Sequence, residues 1–153
     1  MDPQVIPFVK EEIIRNVIKS HNSLLVTGWQ KSGKSLSAIK AAMSIADTYY
    51  FDPLGRLPLQ EIAERSASSE IRPFVDSIKP ADEMFSLLVV DNYEKLTPAD
   101  DEFIRSLLLE KRIGLKIILI SGAFGNISSM VQGIEAVVRI KTDTAELIYT
   151  LKS

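Results

Sequence analysis

The residues from Gly28 to Ser35 read Gly-Trp-Gln-Lys-Ser-Gly-Lys-Ser and satisfy G-x-x-x-x-G-K-[ST] at every fixed position. Each fixed residue answers a physical need of a polyphosphate. Gly28 and Gly33 let the backbone take conformations and close approaches that a Cβ would block. The loop between them, Trp29, Gln30, Lys31 and Ser32, is then expected to turn backbone N–H groups inward as an anion nest. A helix beginning near Lys34 adds the positive end of its dipole. Lys34 is expected to reach the β- and γ-phosphates and the Ser35 hydroxyl to ligate Mg²⁺. Leu36, in the first helical turn, completes the binding segment.

A phosphate-bound Mg²⁺ also calls for a carboxylate, and the apolar run Leu87-Leu88-Val89-Val90 closes on Asp91. Asp91 is expected to hold the ion directly or through a water, though an acid capping a loop has the same letters. Hydrolysis needs a further group to orient or deprotonate the attacking water. Asn92, next in the chain, cannot act as a base. Glu94 or Asp52 could substitute, and both read equally well as solvated surface acids. Ser121 ends the run Lys116–Ile120 and could point its hydroxyl at the γ-phosphate, but a Ser-Gly turn gives the same sequence. The expected catalytic set is therefore Lys34, Asp91, Glu94 and Ser121, with Ser35 and Asp91 as metal ligands and ATP and Mg²⁺ as cofactors. Trp29, the only tryptophan, either packs its ring over the outside of the loop or touches nucleotide or a partner.

Such a set needs a rigid frame, and the hydrophobic spacing supplies one. Phe8, Val9, Ile13, Val17 and Ile18 repeat at helical spacing over Pro7–Ser20, with Pro7 in the first turn. Leu24–Thr27 is a buried strand leading into Gly28. From Lys34 a helix places Leu36, Ile39, Met43 and Ala46 on one face. Thr48–Phe51 is a second strand, stopped by Asp52-Pro53. Leu59–Glu64 and Ile71–Ile78 read as short helices. Leu87–Val90 is a central strand. Thr97 caps a helix with Pro98 at its first position, ending near Gly114. Strands follow at Lys116–Ile120, Ala136–Ile140 and Leu147–Leu151, the last alternating like a half-exposed edge. Strands alternating with helices predict an α/β fold: a largely parallel sheet with helices on both faces and right-handed crossovers.

Composition narrows the chemistry. The 153 residues suit a single domain with a real core, 1–153. A formal charge of −2 gives no overall basic field for nucleic acid or anionic membrane. The absence of cysteine excludes disulfides, thiol catalysis and thiolate metal sites, and one histidine, His21, makes a histidine-based zinc site implausible. The N-terminus lacks a secretory pattern and no apolar run approaches the length of a membrane helix, so the expected compartment is the cytoplasm.

Cradle, extra strand, acid-bearing strand and a strand ending in a polar residue, in that order, resemble the additional-strand (ASCE) class of P-loop ATPases. The resemblance implies a three-layer fold with sheet order 5-1-4-3-2, here followed by an antiparallel edge hairpin. Within that class, Glu70–Val75 and Val89–Leu96 look like segments of the AAA+ ATPase domain of clamp-loader subunits of the delta-prime type. Ile117–Ser121 and Ile127–Lys141 resemble that family's sensor strand and the approach to its fifth strand. The family's Ser-Arg-Cys arginine finger has no counterpart: Val131-Gln132-Gly133-Ile134 stands there. Where the family's helical lid with its second sensor arginine follows the fifth strand, this sequence is expected to form a hairpin instead. The closing segment Gly133–Lys152 fits a second family better, looking like the ending of small RecA- or KaiC-like ATPases with their extra antiparallel strands after the fifth.

These readings imply an ATP-binding, slowly or partner-dependently hydrolysing ATPase core in a larger assembly. Self-association or a protein partner is expected, with DNA entering only through that assembly and no membrane. A non-catalytic nucleotide-binding scaffold is the first alternative. The second is a small-molecule or nucleotide kinase, which needs a lid of arginines; Arg15, Arg56, Arg65, Arg72, Arg105, Arg112 and Arg139 are few and scattered. No guanine-reading Asn/Thr-Lys-x-Asp motif is present, which favours ATP over GTP.

Overall fold

The computed structural model describes residues 6–28, 33–53, 85–111, 113–122, 133–141 and 145–150. Helix α1 spans Ile6–Ser20, strand β1 Ser23–Gly28, helix α2 Lys34–Ile45 and strand β2 Asp47–Phe51. Strand β3 covers Ser86–Val90, a 3-10 turn Tyr93–Lys95 and helix α3 Pro98–Glu110. Strands β4 (Leu115–Ser121), β5 (Ala136–Ile140) and β6 (Ala145–Thr150) follow. The two short helices expected at 59–64 and 71–78 lie outside the described residues.

The sheet runs β2-β3-β4-β1-β5-β6. The first five strands of that order pair in parallel and β6 returns antiparallel to β5, so the expected order and closing hairpin are both present. β1 is buried along its whole length and β3 after its first residue. Such continuous apolar runs are what parallel strands covered on both faces require.

Alternation divides the side chains between two cores. Leu24, Val26, Tyr50, Leu87, Val89, Ile118 and Ile120 join α1 and α2 on one face. Leu25, Tyr49, Phe51, Leu88, Val90, Ile117 and Leu119 join Ile104, Leu107 and Leu108 of α3 on the other. The result is three layers.

Several details of the sequence reading shift. Ile14, not Ile13, is the fully buried residue in the middle of α1. α2 buries Ser37, Ala38, Ile39, Ala41 and Ala42, while Leu36 is 37% exposed. Small alanines bring this helix close to the sheet, and the larger Leu36 stays in the open first turn. α3 stops at Glu110, because Lys111 adopts a left-handed conformation (φ 52) that ends the helix short of Gly114. In β6 a bulge between the pairs Val137↔Tyr149 and Val138↔Leu147 breaks the strict alternation expected of an edge strand. Ala145 is buried and Leu147 is 49% exposed.

Candidate functional site

Parallel strands deliver their last residues to one edge, and the register fixes which residues meet there. Thr27 pairs with Ser121, Gly28 with Ile140 and Phe51 with Val90, and the Asp91 N–H continues the ladder by donating to Phe51 O at 2.8 Å. Gly28, Ser121, Asp91 and Asp52 therefore share the carboxyl edge of the sheet. Ligands of open α/β sheets bind outside that edge, where the strand order reverses. The reversal here is at β1, between β4 and β5.

α2 begins at this edge. Its N-cap, Gly33, has φ 83 and ψ 18, a left-handed conformation that an L side chain adopts only with strain. Gly33 O accepts from Ser37 N at 2.9 Å, closing the first turn. Gly28, at the other end of the loop, also has positive φ (154). Trp29, Gln30, Lys31 and Ser32 lie outside the described residues.

Lys34 and Ser35 occupy the first turn of α2 and are half-buried. The Lys34 ammonium lies 3.6 Å from where a Cβ on Gly122 would sit, and Gly28 O is 3.9 Å from the same point. Its charge thus stands over the junction between the ends of β1 and β4. The ammonium of Lys10, from α1, comes within 4.0 Å of where a Cβ on Gly33 would sit. Sequence reading had no means of bringing Lys10 here, because its helix precedes β1 and the approach depends on how α1 packs on α2.

Asp91 is 5% exposed. Its Oδ2 accepts from the Tyr50 hydroxyl at 2.5 Å and its Oδ1 from the Asn92 N–H at 2.8 Å. Tyr50 belongs to the core shared with α2, so Asp91 lies on the face of the sheet that carries α2 and Lys34. Burial, the hydrogen bond to Asp91 and the charges of Asp91 and Asp52 all push the Tyr50 phenol above its ordinary pKa. It therefore stays a protonated donor.

Asn92 takes a left-handed conformation (φ 47, ψ 47), which asparagine tolerates better than most residues. Its side-chain amide donates to Asp52 Oδ1 at 2.9 Å, tying the ends of β2 and β3 together. Asp52 is 9% exposed.

Glu94 and Ser121, reached separately from the sequence, meet in space. The Ser121 hydroxyl donates to Glu94 Oε2 at 2.8 Å. By the alternation along β4, Ser121 follows Ile117 and Leu119 onto the α3 face, opposite Tyr50. Ser121 is buried and Glu94 exposed. The two acidic positions offered by the sequence for orienting water thus differ: Asp52 lies within the Tyr50–Asp91–Asn92 cluster, and Glu94 is held from the other side.

The donor set suits a hard cation. Asp91 is ionisable and buried, and each of its oxygens accepts one hydrogen bond while carrying two lone pairs. Among the described residues no group of three or more His, Cys, Asp or Glu could hold a metal. Mg²⁺ needs no such cage, since one or two carboxylates, phosphate oxygens and waters usually complete its octahedron.

Two of the scattered arginines are engaged elsewhere. Arg105 bonds Asp101 at 3.0 Å, and Asp101 also accepts from Tyr93; Arg15 pairs with Glu11 at 3.7 Å. Arg56, Arg65, Arg72 and Arg112 lie outside the described residues. Among the described residues no helix is long and apolar enough to cross a membrane.

No protein-family model and no curated protein matches the chain. Solved structures do resemble it. One is that of PCH-2 from C. elegans, at a TM-score of 0.51 and 12% identity, covering 90% of this chain. The chain spans 41% of the length of that structure. At this identity the likeness is one of fold alone.

Proposed function

We propose that this chain is a Mg²⁺-dependent ATP-binding domain with slow or partner-dependent hydrolysis, working as the ATPase core of a larger assembly. The observation that carries the reading is the convergence of Lys34 and buried Asp91 on the carboxyl edge of the sheet, on the face covered by α2. The loop Gly28–Gly33 wraps the phosphates, Lys34 neutralises the β- and γ-oxygens, and Ser35 and Asp91 hold Mg²⁺. The ion supplies charge neutralisation of the terminal phosphate when bound. Asp52, inside the Asp91 cluster, or Glu94, held by Ser121 from the other side of β4, orients the attacking water. A second copy or a protein partner completes the open edge of the site, and any DNA is met through that assembly. The likeness of fold to AAA+-type structures supports nucleotide binding at the same coarse level.

Calorimetric titration with ATP and MgCl₂ tests the reading. Saturable binding is expected, and Lys34→Ala should weaken it about 10- to 100-fold, the worth of one charge-assisted contact. No binding to the unaltered protein would overturn it. Turnover by Asp52→Asn and Glu94→Gln then separates the two acids, since only the one that orients water abolishes hydrolysis while sparing binding.

A non-catalytic scaffold is the second reading, favoured by Asn92 beside Asp91 and by the exposed position of Glu94. It predicts binding with no turnover in any partner's presence.

A further inference from the structure

We propose that Tyr50 is a positioning residue for the metal: its hydroxyl aims the Asp91 carboxylate at the Mg²⁺ of a bound nucleotide. The proposal rests on the nucleotide-binding reading above and adds to it a residue from β2 that the phosphate motif does not contain.

A carboxylate at a strand end can rotate about two side-chain bonds, and a metal site needs it held in one orientation. Here both oxygens are gripped from different elements. Oδ2 accepts from the Tyr50 hydroxyl, at 2.5 Å, and Oδ1 from the Asn92 N–H, at 2.8 Å. The two grips are not equivalent. Asn92 follows Asp91 directly and moves with it. Tyr50 is 2% exposed and packs in the same core as Ala38, Ile39, Ala41 and Ala42 of α2. Its hydroxyl is therefore fixed relative to the helix that carries Lys34 and Ser35. Through Tyr50, the acid on β3 is tied to the helix bearing the other expected metal ligand.

The chemistry of the donor matters as well. A lysine or arginine at this place would neutralise Asp91 and compete with a cation. A phenol is neutral, orients the carboxylate and leaves its charge available to the metal. One lone pair on each oxygen also remains for the ion or its waters. In-register pairing of Tyr50 with Val89 lets the ring reach past the end of β3 to the acid.

The test is calorimetry of ATP binding with and without MgCl₂, on the unaltered chain, Tyr50→Phe, Asp91→Asn and the double variant. Tyr50→Phe keeps the ring in the core and removes only the donor. It should weaken Mg²⁺-ATP binding about tenfold, the usual effect of losing a partner behind a metal ligand. Metal-free ATP binding should fall by less than about twofold, because that interaction does not use Asp91. In the double variant Tyr50→Phe should add nothing to Asp91→Asn, since it acts through that carboxylate. A residue needed only for packing would weaken both forms of binding together, or neither, and would add its effect to Asp91→Asn; either result overturns the proposal. If Tyr50→Phe fails to fold, Mg²⁺ dependence is read with 3-fluorotyrosine replacing the tyrosines. The stronger donor should then shift the Mg²⁺ requirement in the unaltered chain and not in Asp91→Asn, and equal shifts in both overturn the proposal. If the unaltered chain binds no ATP in either condition, the nucleotide reading itself falls and this proposal with it. If it binds and Tyr50→Phe behaves like the unaltered chain, only the present proposal falls.

Discussion

A carboxylate removed from water is stable only when its oxygens are bonded, and Glu135 shows how narrowly that balance is struck. Its side chain is 11% exposed. Oε1 accepts from the Asn22 N–H at 3.0 Å, and Oε2 accepts from the Asn22 amide at 3.3 Å and faces Lys111 at 3.5 Å. Burial alone would push this carboxyl up; the Asn22 bonds and the Lys111 charge outweigh it and hold it below the usual carboxylate value. A folded-state pKa below the unfolded one means stability that is present at neutral pH and lost as pH falls through the folded pKa. Glu135→Gln should therefore cost about 1–2 kcal/mol at pH 7 and less at an acid pH below the folded pKa, where the native carboxyl has itself taken up a proton. Urea unfolding of both proteins at the two pH values checks this, and an equal loss at both would contradict it. This cluster was not legible in the sequence, because Asn22 and Glu135 are separated by 113 positions and meet only through the β1–β5 pairing. Tyr50 and Asp91, 41 positions apart, were hidden for the same reason. The phosphate motif was legible because its residues are contiguous and each letter carries its own backbone or charge requirement.

At the scale of elements, the ends of helices leave carbonyls without intrahelical donors, and this chain satisfies those of α1 from a distant strand. Lys116, on β4, donates from Nζ to Ile18 O at 2.7 Å and to Lys19 O at 2.9 Å, with its ammonium 4.6 Å from the centre of the Phe85 ring. Burial pushes this lysine's pKa down and the nearby Glu135 charge partly restores it. The positive charge also complements the helix dipole at that end. Lys116→Met keeps the aliphatic stem and removes both bonds, so it should destabilise the fold by about 1–2 kcal/mol in urea unfolding followed by circular dichroism. Unchanged stability would show that water serves those carbonyls equally well. Elements themselves were largely legible. Thr97 does cap α3, its hydroxyl accepting from Asp100 N at 3.2 Å, with Pro98 opening the helix. Their ends were less so: α3 stops where Lys111 turns left-handed, a conformation that the residue type does not announce. The bulge in β6 was equally silent, since it reflects pairing rather than composition.

For the whole molecule, the parallel sheet with a core on each face has a consequence that can be weighed in solution. The proposed nucleotide would touch the ends of β1, β3 and β4 and the start of α2, elements that between them anchor both cores. A ligand that binds only when those elements are assembled stabilises the entire fold by mass action. At a concentration about a hundred times its dissociation constant that amounts to about 2.7 kcal/mol, or roughly 5–10 °C in melting temperature for a domain of this size. Mg²⁺-ATP should produce this shift, metal-free ATP a smaller one at equal concentration, and Lys34→Ala should suppress both. GTP tested in parallel reads base preference directly, because the phosphates and the metal are the same in both nucleotides. A kinase would behave differently: its full stabilisation would require a second, phosphate-accepting substrate, and arginines Arg15 and Arg105, already paired with Glu11 and Asp101, are poorly placed to clamp one. If Mg²⁺-ADP stabilised the chain as strongly as Mg²⁺-ATP, Asp91 and its metal would not be reading the γ-phosphate. Turnover would then have to come from groups that a partner brings to the open edge.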